Sequence, residues 1–440
     1  MIPKPGKNHM QTDGFRPISL LPGLSKLYER ILLARMKVHL QKLPPEQFGF
    51  RQHLSTTKQL VRITDFVGQA LHNNLNTAIL MLDVAKAFDR VWHEGLICKL
   101  IDLDFERELI LVLLSFISNR TFKVSVGNSL STKRIMLSGI PQGSVLGPIL
   151  YLFYVADFPK IHYNSNAILA CYADDTAVAV KSANVNHAIK KLQENVPYIE
   201  NWCKRWKVRI NAQKSQLLIV RKRKKNARLK MELLLFNEPV PIVNKAKYLG
   251  ITINNRLTWT PHIENTRSHA LRVMKCLYPI IGKFSKLDLY KKRLIYLSTI
   301  RPIMTYAAPA WATASEKDIE KLQKVQNKFL RISTNAHYYV RNEVLHKDMK
   351  IEPLNQFIRK INASFFKEDS QPMISQLPAH VTTGHAPSPL APALLDSRFG
   401  QILSSAPTVQ TSDDSRNTSS RMLDNLGISG TWNSKAIWFM

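Results

Sequence analysis

Three aspartates placed at the ends of short apolar runs constrain this chain more than anything else in it. Residues 77–83 (TAILMLD) form one run of strand formers, which ends at Asp83. Residues 168–172 and 176–180 flank Tyr172-Ala173-Asp174-Asp175, and two short strands around an Asp-Asp tip read as a hairpin. If these strands are neighbours in one sheet, their carboxylates converge with nothing apolar between them. Two such charges ~4 Å apart repel by roughly 4 kcal/mol at an intermediate dielectric. Divalent cations make the cluster tolerable. Hard oxygen ligands suit Mg²⁺, which keeps some waters and completes its shell with substrate phosphates. Two ions bridging an attacking hydroxyl and a leaving phosphate form the arrangement of nucleotidyl transfer. The competing reading is plain turn chemistry, the commoner outcome for an Asp-Asp tip taken alone.

Other segments bear on that choice. Residues 138–144 (SGIPQGS) form a glycine-flanked loop leading toward a helix; glycine lets backbone approach a bound base closely, and Gln142 offers both donor and acceptor. A simple Pro/Gly connector fits this loop equally well. Phe88 lies five residues past Asp83, where a ring could sit under an incoming sugar and exclude a 2′-hydroxyl, although a lone aromatic is more often core.

Charge points the same way. Lys and Arg number 62 against 32 Asp and Glu, a formal charge of +30, so a polyanionic partner is expected. Residues 204–230 hold twelve Lys or Arg and no acid, suited to phosphate contacts. The tightest part, Arg221-Lys222-Arg223-Lys224-Lys225, equally fits a nuclear localisation patch. No apolar run reaches the ~18 residues of a membrane span, and no secretory leader is visible, so an intracellular protein of nucleus or cytoplasm is expected. Cys98, Cys171, Cys203 and Cys276 form no Cys-x-x-Cys pair, which favours buried free thiols over a zinc site.

The chain divides by pattern. Up to residue 255 strands and helices alternate; Pro148 opens a helix after Gly147, and Pro197 is expected to kink or break the helix around it. From 256 to 366 the pattern is helical, with Ile319, Leu322, Val325, Phe329 and Ile332 on one stripe. Residues 367–440 are rich in Pro, Ser and Thr without period and read as a disordered tail.

Taken in order, these motifs resemble the reverse transcriptase of non-LTR (LINE-type) retrotransposons, most like the jockey group of insects. Phe15-Arg16-Pro17-Ile18-Ser19-Leu20-Leu21 and Gln47-Phe48-Gly49-Phe50-Arg51 resemble its fingers motifs. Residues 82–89 with Val91-Trp92-His93, residues 139–148 and Tyr172–Asp175 are similar to its palm motifs. Asn211-Ala212-Gln213-Lys214-Ser215 and Tyr248-Leu249-Gly250-Ile251 resemble the lysine motif and the primer grip.

The resemblance implies an α+β right-hand polymerase with fingers, a ferredoxin-like palm sheet and a helical thumb. It implies RNA-directed DNA polymerisation with Mg²⁺, or Mn²⁺ in its place, from an RNA template, a DNA primer and dNTPs. Asp83, Asp174 and Asp175 would be the catalytic, metal-binding set. Phe88 would gate the sugar, Gln142 and Gly143 would pack against nucleotide and template, and Arg51 and Lys214 would reach the phosphates. Tyr248, Leu249 and Gly250 would hold the primer. The family's endonuclease domain would precede residue 1, so nicking is expected from a separate endonuclease, with an element-encoded nucleic-acid-binding protein as a further partner. Two other readings stay open at this stage: a truncated nucleic-acid-binding relic, and a maturase-like RNA-binding factor.

Overall fold

The computed structural model describes residues 2–3, 14–126, 129–160, 166–222 and 231–368. Its centre is a five-stranded sheet of β1 (Asn76–Leu82), β2 (Ala167–Tyr172), β3 (Asp175–Ser182), β4 (Gln216–Val220) and β5 (Ile242–Val243). The spatial order is β5-β4-β1-β3-β2. Neighbours among the first four strands pair antiparallel, and β5 runs parallel to β4. Helices fill the connection from β1 to the β2–β3 hairpin and the one from that hairpin to β4, so the core of the sheet is a ferredoxin-like βαββαβ unit.

Residues Thr77 through Leu82 are all buried, because both faces of β1 are covered. Ala78, Leu80 and Leu82 point into one core with α3 (His93–Asp102), α4 (Arg107–Ile117), α5 (Gly147–Tyr154) and α6 (Val185–Arg205), following α1 (Gly23–Met36) and α2 (Thr56–His72) in the chain. Ile79 and Met81 point the other way, into a second core with α2 and the C-terminal helices. The period-2 alternation of one strand thus divides the molecule into two hydrophobic layers.

Of the kink or break expected at Pro197, the break does not occur: helix α6 runs on through it. A proline inside a helix costs about 3 kcal/mol. The buried stripe of Leu192, Val196, Ile199 and Cys203 on the sheet outweighs that cost.

After the hairpin of β6 (Lys245–Tyr248) and β7 (Ile251–Asn254), no strand occurs among the described residues. The helices there include α7 (Thr260–Ile281), α8 (Leu289–Ile295), α9 (Glu316–Thr334) and, near the end, α10 (Leu354–Glu368). Leu322, Val325 and Phe329 of the expected stripe are buried. The tail lies outside the described residues from 369 onward. Cys98, Cys171 and Cys203 are buried free thiols, whereas Cys276 is exposed on α7, since it falls on the helix's solvent side. No helix among the described residues is long and apolar enough to cross a membrane.

Candidate active site

The sheet register brings the aspartates together. Leu82 pairs with Thr176, and Tyr172 pairs with Asp175 across the hairpin. One step further along, Asp83 leaves β1 opposite Asp175, with Asp174 at the turn. Loss of surrounding water and then the charges of Asp174 and Asp83 push the Asp175 carboxyl up to about 6. Asp175 is nonetheless open to solvent, so the mutual repulsion is the sturdier part of that shift. Asp174 is also raised, by burial first and by Asp83, against the opposing pull of its own backbone N–H and of Arg16. Among the described residues, no three His, Cys, Asp or Glu side chains are arranged to hold an ion unaided. Mg²⁺ needs fewer, because one or two carboxylates, water and substrate phosphates suffice. A pair of hard carboxylates that repel each other suits that ion.

The tip is built from a strained backbone. Ala173, the first turn residue, sits at φ +55°, a left-handed conformation that a residue with a Cβ seldom adopts. A side chain over a hundred residues away braces it. Buried Gln47 accepts through Oε1 from the Ala173 N–H (2.8 Å) and the Gly49 N–H (2.9 Å). Gly49 packs so close that a Cβ there would lie 2.5 Å from the Ala173 nitrogen. Around this clamp the Phe48 N–H donates to the Cys171 carbonyl (2.9 Å), and the Cys171 N–H donates to that of Glu46 (3.1 Å). Residues 46–48 therefore cover β2, the edge strand that carries the tip.

Asp83 is held from the other side by the turn at 211–215. Its N–H donates to Ser215 Oγ (3.1 Å), and its carbonyl accepts from the Asn211 N–H (2.9 Å). Lys214 is exposed on that same turn.

The 138–144 loop packs on the segments that follow Asp83 and Arg16, at Asp89 and at Ser19. Gly139 has φ +86°, and a Cβ there would meet the Asp89 carbonyl oxygen at 2.7 Å. The Gly139 oxygen accepts from His93 Nε2 (2.8 Å) and from the buried Arg120 guanidinium, which burial pulls down to about 10. Gly143, at φ +105°, packs against the Ser19 oxygen, and the Ser19 N–H donates to the Gln142 carbonyl (2.7 Å). The Gln142 amide nitrogen donates to Asp89 Oδ1 (2.6 Å), which fixes its orientation. Phe88 is half-buried and stacks on Tyr151 at 4.8 Å between ring centres. Residues 15–21 meet the Gly-rich loop through Ser19 and the tip through Arg16, whose charge acts on Asp174, so the three form one wall.

Sequence comparison agrees with this geometry. Residues 2–253 match the family model described as reverse transcriptase (RNA-dependent DNA polymerase). The chain belongs to the reverse transcriptase family. It is 37% identical over 371 residues to the probable RNA-directed DNA polymerase from transposon BS of Drosophila melanogaster, covering 82% of this chain and 40% of that protein. It is 35% identical over 379 residues to the RNA-directed DNA polymerase from mobile element jockey of the same species, with 83% and 40% covered. The chain thus spans about 40% of the length of these relatives. Among solved structures, Candida albicans telomerase in complex with a fragment of telomeric RNA aligns with a TM-score of 0.40 at 11% identity, over 76% of this chain and 59% of that one.

Within the chain, not every expected residue reaches the wall. Arg51 donates through Nη1 to the Pro44 (2.9 Å) and Gln47 (3.3 Å) carbonyls, and so braces the clamp loop. Tyr248 is buried and donates its hydroxyl to the Ala170 carbonyl (3.2 Å); it anchors its hairpin in the core, because a β-strand alternates and this residue falls on the inward side. Leu249 and Gly250 form the turn itself, with φ of +43° and +87°. Tyr306 donates to the Leu249 carbonyl (2.9 Å). Arg221 and Lys222 follow Val220, which pairs with Thr77, so they leave the sheet at the end opposite Asp83, roughly 20 Å along the strands. They do not line the aspartate wall. Arg223, Lys224 and Lys225 lie outside the described residues.

Gln47, Arg16, Asp89 and Tyr306 are the residues that sequence reading left without a role. Gln47 and Arg16 stood inside quoted motifs, yet nothing local shows that one clamps a turn beyond residue 170 or that the other faces Asp174.

Proposed function

We propose that this chain is an RNA-directed DNA polymerase that adds deoxynucleotides to a primer 3′-hydroxyl on an RNA template, in retrotransposon replication. The observation that carries the reading is the meeting of Asp83, at the end of β1, with Asp174 and Asp175 at the tip of the neighbouring hairpin, together with the stacking of Phe88 on Tyr151, whose hydroxyl feels the charge of Asp174. Mg²⁺ held by Asp83 and Asp174, with Asp175 adding charge, would acidify the primer hydroxyl and neutralise the triphosphate; Mn²⁺ has the same ligand preference. Phe88 lies under the sugar of the incoming dNTP and discriminates against a 2′-hydroxyl. Gln142, oriented by Asp89, and Gly143 pack against nucleotide and template. Arg16, which already attracts Asp174, is placed to meet phosphate oxygens, and exposed Lys214 meets the charge that develops on the leaving pyrophosphate. Leu249 and Gly250 present the turn that supports the primer.

The test is primer extension on a homopolymeric RNA template with a DNA primer, one dNTP and Mg²⁺, run beside Asp174→Asn. Incorporation by wild type alone supports the reaction and the aspartate assignment together. A folded wild type that binds RNA and incorporates nothing would replace the reading with that of a nucleic-acid-binding relic. For the gate, Phe88→Ala should raise ribonucleotide use relative to deoxynucleotide; an unchanged ratio returns Phe88 to a packing role.

A further inference from the structure

The helical region has a far end that the polymerase site does not use. Helix α7 starts beside the β6–β7 hairpin, where the Thr252 N–H donates to His262 Nδ1 (3.4 Å). Its 22 residues carry its C-terminus roughly 33 Å away, at 1.5 Å per residue. There two loops are tied together by a buried side chain. Lys292 Nζ donates to the Gly282 carbonyl, just after α7, and to the Ser333 carbonyl in the last turn of α9, both at 3.2 Å.

Each loop presents aromatic rings to water. Phe284, in the first, is 90% exposed; Tyr338 and Tyr339, in the second, are 91% and 71% exposed. The second loop is braced. Arg331 donates through Nη1 to the His337 carbonyl (2.9 Å), and through Nη2 to the Val340 carbonyl (2.7 Å) and Asn342 Oδ1 (3.0 Å). The rings of His337 and Tyr339 lie parallel, 5.4 Å apart with 6° between planes. Rings held in water by a fixed scaffold are an unspent apolar surface.

The setting is basic: Lys283 and Lys286 flank Phe284, and Arg341 follows the second loop. Of the nearby acids, Asp288 caps α8 by accepting from the Lys291 N–H (2.7 Å), and Glu343 and Asp348 lie on the next short helix. Flat rings among cations match a single strand, whose bases stack on the rings while its phosphates meet the lysines. A duplex hides those base faces.

We propose that this end of the helical region is a stacking platform for single-stranded RNA, remote from the aspartates. RNA is the strand favoured because an RNA-templated reaction leaves its template single-stranded outside the heteroduplex. In that choice of ligand alone the inference rests on the polymerase reading.

The test measures binding of the full chain to a 2-aminopurine-labelled 20-nucleotide oligo(A) RNA and to a blunt RNA duplex of equal length, without Mg²⁺ or dNTPs. The triple variant Phe284→Ala, Tyr338→Ala, Tyr339→Ala should bind the single strand about tenfold or more weaker, with reduced quenching of 2-aminopurine and duplex affinity held. Tyr338→Phe with Tyr339→Phe should keep wild-type affinity, because the rings remain. Wild-type binding by the triple variant, or an equal loss for the duplex, overturns the proposal. Melting temperatures of all variants exclude unfolding as the cause. A chain that extends primers and fails this test loses the platform and keeps the polymerase function.

Discussion

The aspartate tip and the helical region hold their shapes by opposite means. The tip concentrates like charge, puts a non-glycine residue in left-handed backbone and is kept in place by a hydrogen bond that Gln47, 126 residues away in the chain, accepts from Ala173. The helical region is built of amphipathic helices that bury Leu322, Val325 and Phe329 and cap themselves locally; Ser315, for example, accepts from the Asp318 N–H at 3.2 Å. The tip sacrifices stability to place charge, and the helices supply stability without placing any. Substitutions in the two regions should therefore separate activity from folding.

The largest separation is expected at Asp174. Asp174→Asn removes a charge that the tip holds against repulsion, so the metal-free chain should melt no lower than wild type. Primer extension should fall by about 10³-fold. A matched drop in melting temperature would show that the carboxylate supports the fold and would erase the contrast.

Phe329→Ala is the converse. The ring is fully buried and tilted against Tyr296 at 5.1 Å, so its loss should cost about 3–5 kcal/mol in denaturant unfolding. Turnover per folded molecule at low temperature should stay near wild type. A selective loss of turnover in the folded fraction would mean that the helical core also sets the geometry of the tip.

Gln47→Leu tests how the tip is held. Leucine keeps most of the volume and leaves the Ala173 and Gly49 N–H groups without their acceptor. Incorporation should drop roughly 10- to 100-fold, and Mn²⁺ binding followed by electron paramagnetic resonance should weaken. Adding Ala173→Gly, which relieves the left-handed strain, should restore part of both. Strictly additive effects in that cycle would reduce Gln47 to loop packing.

The same contrast explains what was legible in the sequence. The sheet strands, the Asp-Asp hairpin, the helix opened by Pro148 and the Ile319–Ile332 stripe all follow from patterns a few residues wide. Asp83 and Asp174 could be placed together only on the supposition that their strands are neighbours, which the β1–β3 register bears out. The Gln47 clamp, the Arg16–Asp174 attraction and the Tyr306 brace join positions far apart in the chain, and no local period encodes them. Tyr248 turns inward into the core, which its motif could not show, because a motif names a residue without saying which face of the strand it takes. The run Arg221–Lys225 was charged enough for a cleft, yet the register sends its first two residues away from the aspartates.

His262 offers the finest probe, because it lies where the helical region meets the β6–β7 hairpin. It is buried between Trp259 and Trp311, with ring centres at 6.4 and 6.0 Å, and burial alone pulls its imidazole down to about 4. In the unfolded chain the same ring titrates near 6.5. Between those values the unfolded state binds the extra proton, so stability is complete above the unfolded value and is lost as pH falls toward 4. The loss should be about 3 kcal/mol, at the lower end of that expected for Phe329→Ala. His262→Gln, which cannot take up the proton, should flatten the slope of unfolding free energy between pH 6.5 and 4. It should leave untouched the opposite slope contributed by Asp175, whose raised carboxyl makes the metal-free tip more stable as pH falls through about 6. Double substitution with Asp175→Asn should then remove both slopes. If His262→Gln changes nothing across that range, the joint admits water and the helices do not seal against the β6–β7 hairpin; if it changes the Asp175 slope as well, the tip and the helices are one cooperative unit and the division drawn between them fails.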